Sequence, residues 1–164
     1  QEMGEKYKGF LYAGLMILDN EPFLIEYNVR MGDPECQTIL PLLENDFLDL
    51  IENCIKGNLQ NIKLNWKRKK SICIVLTSKG YPEKFDKNLL IQNIQNLNIG
   101  DNQFLFHAGT KFSGENFYSN GGRVLNFVTI DENFKLARER TLDLIRKLNW
   151  KKGHYRADIG FKVI

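Results

Sequence analysis

Apolar residues fill positions 10 to 18 without alternating (Phe10-Leu11-Tyr12-Ala13-Gly14-Leu15-Met16-Ile17-Leu18), a pattern that predicts a strand buried on both faces. Asp19-Asn20-Glu21-Pro22 reads as a turn, so the following residues return as a second strand and close a hairpin. Here the pattern does alternate. Period two places Phe23, Ile25, Tyr27 and Val29 on a core face and Leu24, Glu26, Asn28 and Arg30 on the opposite one. Asp33-Pro34-Glu35 has the order of a helix start, with Asp at the N-cap, Pro at the first helical position and an acid in the positive first turn. Pro41 cuts that helix short. A second helix starts at Asn45 or Asp46, carries Phe47, Leu48, Ile51 and Ile55 along one side, and stops at Gly57.

Residues 58–70 are polar and include Trp66 and the run Lys67-Arg68-Lys69-Lys70; this shift in composition marks a boundary. Beyond it, residues 71–77 predict a strand and Lys79-Gly80-Tyr81-Pro82 a turn. Residues 86–102 are Asn-rich with scattered Leu and Ile and predict no clear element. Two further strands are read at residues 104–109 and 123–130, the second entered through the turn Asn120-Gly121-Gly122. An amphipathic helix follows, with Asp131 as its cap and Phe134, Ala137, Thr141, Leu144, Ile145 and Leu148 on one side. The fold class is therefore α+β, with no internal repeat and no heptad pattern.

Composition narrows the function classes. Hydrophobic residues make up 43% and charged residues 26%, the balance of a globular protein. The net charge of +3, from 23 basic and 20 acidic residues, is too weak a bias to indicate nucleic acid or a membrane surface. Cys36, Cys54 and Cys73 form no CxxC pair, and with only two histidines beside them they predict neither a disulfide framework nor a zinc site, which fits a reducing cytoplasm. The apolar run at 10–18 is too short to span a bilayer and no leader precedes it. With no earlier element to pair that run, the sequence is expected to start inside a domain.

The polar face of the second strand is where chemistry concentrates. Glu26, Asn28 and Arg30 follow one another at about 6.5 to 7 Å along a strand, and a carboxylate, an amide oxygen and a guanidinium so spaced can hold a hard cation beside an anion. The same alternation also describes an ordinary solvent-facing strand. Arg30 has two readings, a surface ion pair or a bidentate grip on a carboxylate or phosphate. Gly32 allows close approach of backbone to a ligand, and Asp33 and Glu35 serve either as helix-start residues or as ligand contacts. The basic run 67–70 reads as a solvated linker, the alternative being a nucleic-acid-binding module. His107 and His154 have no acid or cysteine at ligand spacing and read as structural; no histidine neighbours Cys36 to activate it.

The stretch Glu26-Tyr27-Asn28-Val29-Arg30-Met31-Gly32-Asp33-Pro34-Glu35-Cys36-Gln37 resembles the signature of the phosphoribosylamine-glycine ligases, a family of the ATP-grasp superfamily. The likeness extends through residues 10–16, Gly80-Tyr81-Pro82, Phe106-His107-Ala108-Gly109-Thr110, Asn120-Gly121-Gly122-Arg123-Val124-Leu125 and Tyr155-Arg156-Ala157-Asp158-Ile159-Gly160. It implies that residues 1–64 are the end of an ATP-grasp domain and residues 65–164 a small β-rich C-terminal domain with one helix. It also implies ATP-dependent joining of glycine to 5-phosphoribosylamine through an acyl phosphate, with Glu26 and Asn28 binding Mg2+ or Mn2+. Arg30 is then expected to act on the acyl phosphate or a substrate anion, and Gly32, Asp33 and Pro34 to shape the substrate pocket. Lys79 stands where the family usually has a small residue or glycine, and a family glycine is missing after residues 85–88, so the loop geometry is expected to differ there. The family's N-terminal substrate domain and phosphate-covering loop have no counterpart here, so the fragment alone is expected to be inactive. Another ATP-grasp ligase of purine synthesis is the rival within enzymes.

Overall fold

The computed structural model describes Gly4 and residues 7–164. The chain divides into two units, one comprising the described residues up to Cys36 together with Leu43–Lys67, the other Gln37–Leu42 together with Arg68–Ile164. Helices are few and every sheet is antiparallel, which is the α+β class. Among the described residues no helix is long and apolar enough to cross a membrane.

The first unit opens with the hairpin β1 (Tyr12–Leu18) and β2 (Glu21–Asn28), turned through Asp19 and Asn20, both at positive φ. The expectation that β1 is buried on both faces is not met: Leu15 to Leu18 are 51–62% exposed. Physically, a two-stranded sheet satisfies backbone groups through its one pairing but supplies no layer to cover either face. The supposed core face of β2 is open as well, with Phe23, Ile25 and Tyr27 all exposed.

The pairing also redistributes the faces. Gly14 stands opposite Glu26 and Leu15 opposite Leu24, so Ile25 is an extra residue without a cross-strand partner. Such a bulge breaks period two. Cross-strand pairs share a face, so Tyr12 and Asn28, Gly14 and Glu26, and Met16 and Phe23 lie together, while Leu24 joins Leu15 on the other side. Phe23 and Leu24 are thus exchanged relative to the sequence pattern.

Two helices follow. α1 (Glu35–Ile39) runs into a 3-10 turn at Leu40–Leu42 that contains Pro41. It begins one residue later than an N-cap at Asp33 predicts; Asp33 and Pro34 lie in a turn whose Gly32 carbonyl accepts from the Cys36 amide at 2.9 Å. α2 (Phe47–Lys56) is capped by Asp46, whose carboxylate accepts from the amides of Leu48 and Asp49, and ends on Gly57 at φ 76°. Its half-buried stripe is Phe47, Leu50, Ile51 and Cys54; Leu48 and Ile55, predicted for that side, are exposed.

The second unit holds the core. β3 (Lys70–Ser78), β4 (Gln103–His107), β7 (Arg123–Asp131) and β8 (Gly153–His154) form one sheet in the order β4-β7-β3-β8. A second hairpin, β5 (Thr110–Ser113) with β6 (Asn116–Ser119), turns through Gly114 at φ 60° and has no counterpart in the sequence reading, its residues being too polar to signal strands. Helix α3 (Phe134–Leu148) packs across β3 and β7 and buries Ala137, Thr141, Leu144, Ile145 and Leu148 against Ile72, Ile74, Leu76, Leu125 and Phe127. Its cap is Asn133, whose side chain accepts from the Leu136 amide, rather than Asp131. Asp131 ends β7 and is drawn instead to Arg140, 2.6 Å away. The basic run is partly absorbed by this unit: Lys69 pairs with Glu132 and Lys70 lies over the Phe134 ring.

Candidate functional site

The polar constellation of the first unit is organised by the hairpin register. Asn28 sits opposite Tyr12 and Glu26 opposite Gly14, whose missing side chain leaves the Glu26 stem room to lie across the strand. A Cβ on Gly14 would stand 3.1 Å from the Glu26 Cγ. The Asn28 amide donates to Glu26 Oε1 at 2.8 Å, so the two side chains meet above the same face.

A third oxygen group arrives from α1. Glu35 folds back over Gly32, a buried residue whose hypothetical Cβ would lie 2.3 Å from Glu35 Oε2. Its carboxylate hydrogen-bonds the Tyr12 side chain, and its negative charge is the largest cause of the raised Tyr12 pKa, ahead of burial, with Glu26 contributing in the same direction. Tyr12 therefore stays protonated and stands within the field of both carboxylates. In the sequence Tyr12 is only one member of the apolar run 10–18, and the cross-strand register is what brings it to Glu26 and Asn28.

The remaining predicted residues are placed less centrally. β2 ends at Asn28, so Arg30 lies in the bend beyond it, where strand alternation no longer fixes its direction; its Nη1 donates to the Met31 carbonyl at 3.0 Å. Arg30 thus does not continue the Glu26 face as an alternating strand residue. Asp33 is exposed and Pro34 half-buried in the turn before α1. Burial, and then the Asp33 charge, push the Cys36 thiol up, which keeps it protonated and a poor metal ligand.

The donor set decides what can bind. Two carboxylates and an amide oxygen, with no thiolate or imidazole, suit a hard cation such as Mg2+ or Mn2+, which takes one or two protein carboxylates and completes its shell with water and phosphate. Among the described residues no three His, Cys, Asp or Glu side chains form a self-sufficient cage. The residues present fit an ion that is shared with a phosphate ligand better than one held by protein alone.

Comparison with known proteins gives concordant matches. The family described as "Phosphoribosylglycinamide synthetase, C domain" matches residues 71–162, and "Phosphoribosylglycinamide synthetase, ATP-grasp (A) domain" matches residues 1–36. Phosphoribosylamine--glycine ligase of Caldanaerobacter subterraneus subsp. tengcongensis is 42% identical over 157 residues, covering 96% of this chain and 37% of that protein. The chloroplastic phosphoribosylamine--glycine ligase of Arabidopsis thaliana is 37% identical over 167 residues, covering 99% of this chain and 31% of its own length. The crystal structure of phosphoribosylamine--glycine ligase from Thermotoga maritima superposes with a TM-score of 0.80 at 30% identity, covering 96% of this chain and 38% of that one. The chain therefore spans about a third of these relatives, from 31% to 38% of their length.

Proposed function

This chain belongs to the phosphoribosylglycinamide synthetase family, and from that premise we propose that it is the C-terminal part of an ATP-dependent ligase joining glycine to 5-phosphoribosylamine. The products are glycinamide ribonucleotide, ADP and phosphate, made in the cytoplasm as a step of purine synthesis. The observation that carries the reading is the 42% identity to a phosphoribosylamine--glycine ligase along 96% of the chain. Residues 1–64 then close the ATP-grasp domain and residues 65–164 are the C-terminal domain. The preceding part of the longer protein supplies the remaining ATP and substrate contacts, so the fragment alone is inactive.

Within that reading Glu26 and Asn28 hold Mg2+ or Mn2+. An ion held by these two side chains would supply positive charge to offset the charge that develops when a phosphoryl group is transferred to a carboxylate. Glu35 and Tyr12 support the pair: the carboxylate adds negative potential and the phenol fixes its direction. Arg30, through its planar guanidinium fork, binds the acyl phosphate or a substrate anion. The turn at Gly32, Asp33 and Pro34 shapes the pocket wall, where the absence of a Gly32 side chain lets Glu35 approach.

The test uses the complete protein. ADP release in the presence of ATP, Mg2+ and phosphoribosylamine should depend on glycine, and Glu26→Ala should abolish turnover while leaving the circular-dichroism spectrum unchanged. ADP release indifferent to glycine would overturn the substrate assignment. Wild-type turnover in Glu26→Ala would overturn the metal assignment.

A further inference from the structure

Packing around the β4-β7-β3-β8 sheet is uneven. The loops that join β4 to β5 and β6 to β7 close on each other: Gly109 N donates to Arg123 O at 2.9 Å, and a Cβ on Gly109 would lie 2.7 Å from Gly121 Cα. At the C-terminal end of α3, by contrast, a cleft of about 480 Å³ stays open. Its inner wall is apolar, made of the buried residues Leu76, Ile145 and Trp150, with half-buried Tyr155 beside them. The exposed residues Arg146 and Lys151 also line it. A volume in the range of small-molecule sites, with an apolar wall and few polar groups, suits a compact organic ligand.

The backbone around the cleft is set before any ligand arrives. α3 stops at Asn149, whose φ of 52° turns the chain away and whose amide donates to Ile145 O at 3.2 Å. The Trp150 indole donates to Leu90 O at 2.9 Å, which fixes the ring, and Gly153 N donates to Trp150 O at 3.0 Å. Gly153 admits the wall residues side by side, since a Cβ there would lie 2.6 Å from Trp150 Cε3 and 2.9 Å from Leu76 Cδ1. The charge at the mouth is of one sign. Among the described residues that line the cleft there is no acid. Asp143, the acid paired with Arg146, stands 3.8 Å from it but 2.7 Å from Lys147, so the Arg146 fork keeps donors for a ligand.

We propose that this cleft binds a small aromatic carboxylate, with its ring against Trp150, Ile145 and Leu76 and its carboxylate held by Arg146 and Lys151. Trp150 and Tyr155 offer ring faces or edges to an aromatic group, a contact that adds to simple burial. Arg146 supplies a planar fork that matches two carboxylate oxygens, and Lys151 a point charge on a flexible stem. The cleft opens at a helix C-terminus, where the last carbonyls carry partial negative charge, so a singly charged carboxylate is favoured over a doubly charged phosphate. An anion without a ring would leave the apolar wall unfilled, and a neutral ring would leave both cations to water. None of these groups belongs to the Glu26 and Asn28 cluster, so binding here is independent of the ligase reading.

Trp66 and Trp150 are the two tryptophans of the chain, so Trp66→Phe leaves Trp150 as its sole indole reporter. Titration of that variant with hydrocinnamate should change the Trp150 fluorescence saturably. Adding Arg146→Gln/Lys151→Gln should weaken binding by about tenfold or more, while the unliganded emission and the melting temperature stay unchanged. Hydrocinnamide, which keeps the ring and loses the charge, and propionate, which keeps the charge and loses the ring, should each bind at least about tenfold more weakly than hydrocinnamate. Backbone amide NMR of the wild-type chain gives a second readout that needs no variant: shifts that saturate at Arg146, Lys151 and Gly153 and are absent at Ile130. No saturable response to hydrocinnamate, equal binding of the amide or of propionate, tighter binding of phenyl phosphate, or unaltered binding by the double variant overturns the assignment.

Discussion

Gly32 and Glu35 show how one missing side chain organises the polar cluster of the hairpin. The contact that a Cβ at position 32 would make is with the carboxylate end of a rotatable side chain, at 2.3 Å, so Gly32→Ala should move Glu35 and spare the backbone. The Glu35 charge is the chief reason the Tyr12 phenol titrates high. Gly32→Ala should therefore lower the Tyr12 pKa toward its ordinary value, read by NMR of labelled tyrosine, with little change in thermal stability; an unmoved phenol would show that Glu35 keeps its place. The meeting of Glu26 and Asn28 was legible in the sequence, because residues two apart on a regularly paired strand share a face and the bulge lies before Glu26. Tyr12 and Glu35 were not, since their approach depends on which residue of β1 faces Asn28 and on a turn that period two does not describe.

At the scale of the element, α3 separates two neighbouring polar residues by function. Asn133 caps the helix through the Leu136 amide, and Asn133→Ala should lower stability by about 1 kcal/mol at neutral and mildly acidic pH alike. Asp131 instead accepts from Arg140 and from the Glu132 amide, which hold its carboxyl below the usual value of 3.8. A depressed folded pKa contributes stability that is present above the unfolded value and lost as pH falls through the folded one. The advantage of wild type over Asp131→Asn in urea unfolding should thus be constant near neutrality and shrink below about pH 4. Both residues satisfy the sequence rule for a cap, and tertiary pairing with Arg140, nine residues on, decides between them. The bulge at Ile25 is a similar case: nothing in Leu24-Ile25-Glu26 announces an unpaired residue, yet it exchanges the faces of Phe23 and Leu24. The α3 stripe was legible because its period of 3.6 is local and its partner sheet only had to be apolar.

Across the whole chain, apolar burial is uneven. Among the described residues the buried hydrophobic ones all fall between Ile72 and Trp150, in the second unit, whereas the hairpin leaves Leu15, Ile17, Leu24 and Ile25 at least half exposed. A cleft of about 330 Å³ lined by Phe10, Phe47, Leu50, Ile51 and Leu64 adds to the open apolar surface of the first unit. Exposed patches of this kind bind hydrophobic dyes. The isolated chain should enhance fluorescence of an apolar dye, and Leu15→Thr/Ile17→Thr/Leu24→Thr should reduce that signal while leaving the melting temperature of the second unit unchanged. Full dye binding by the triple variant would locate the open surface elsewhere. The backbone contact of Gly109 with Gly121 carries a further consequence for motion. A loop usually surrenders conformational entropy when a ligand orders it. Here the chain between β4 and β5 and the chain between β6 and β7 were already fixed against each other when the sheet formed, so that freedom was given up in folding.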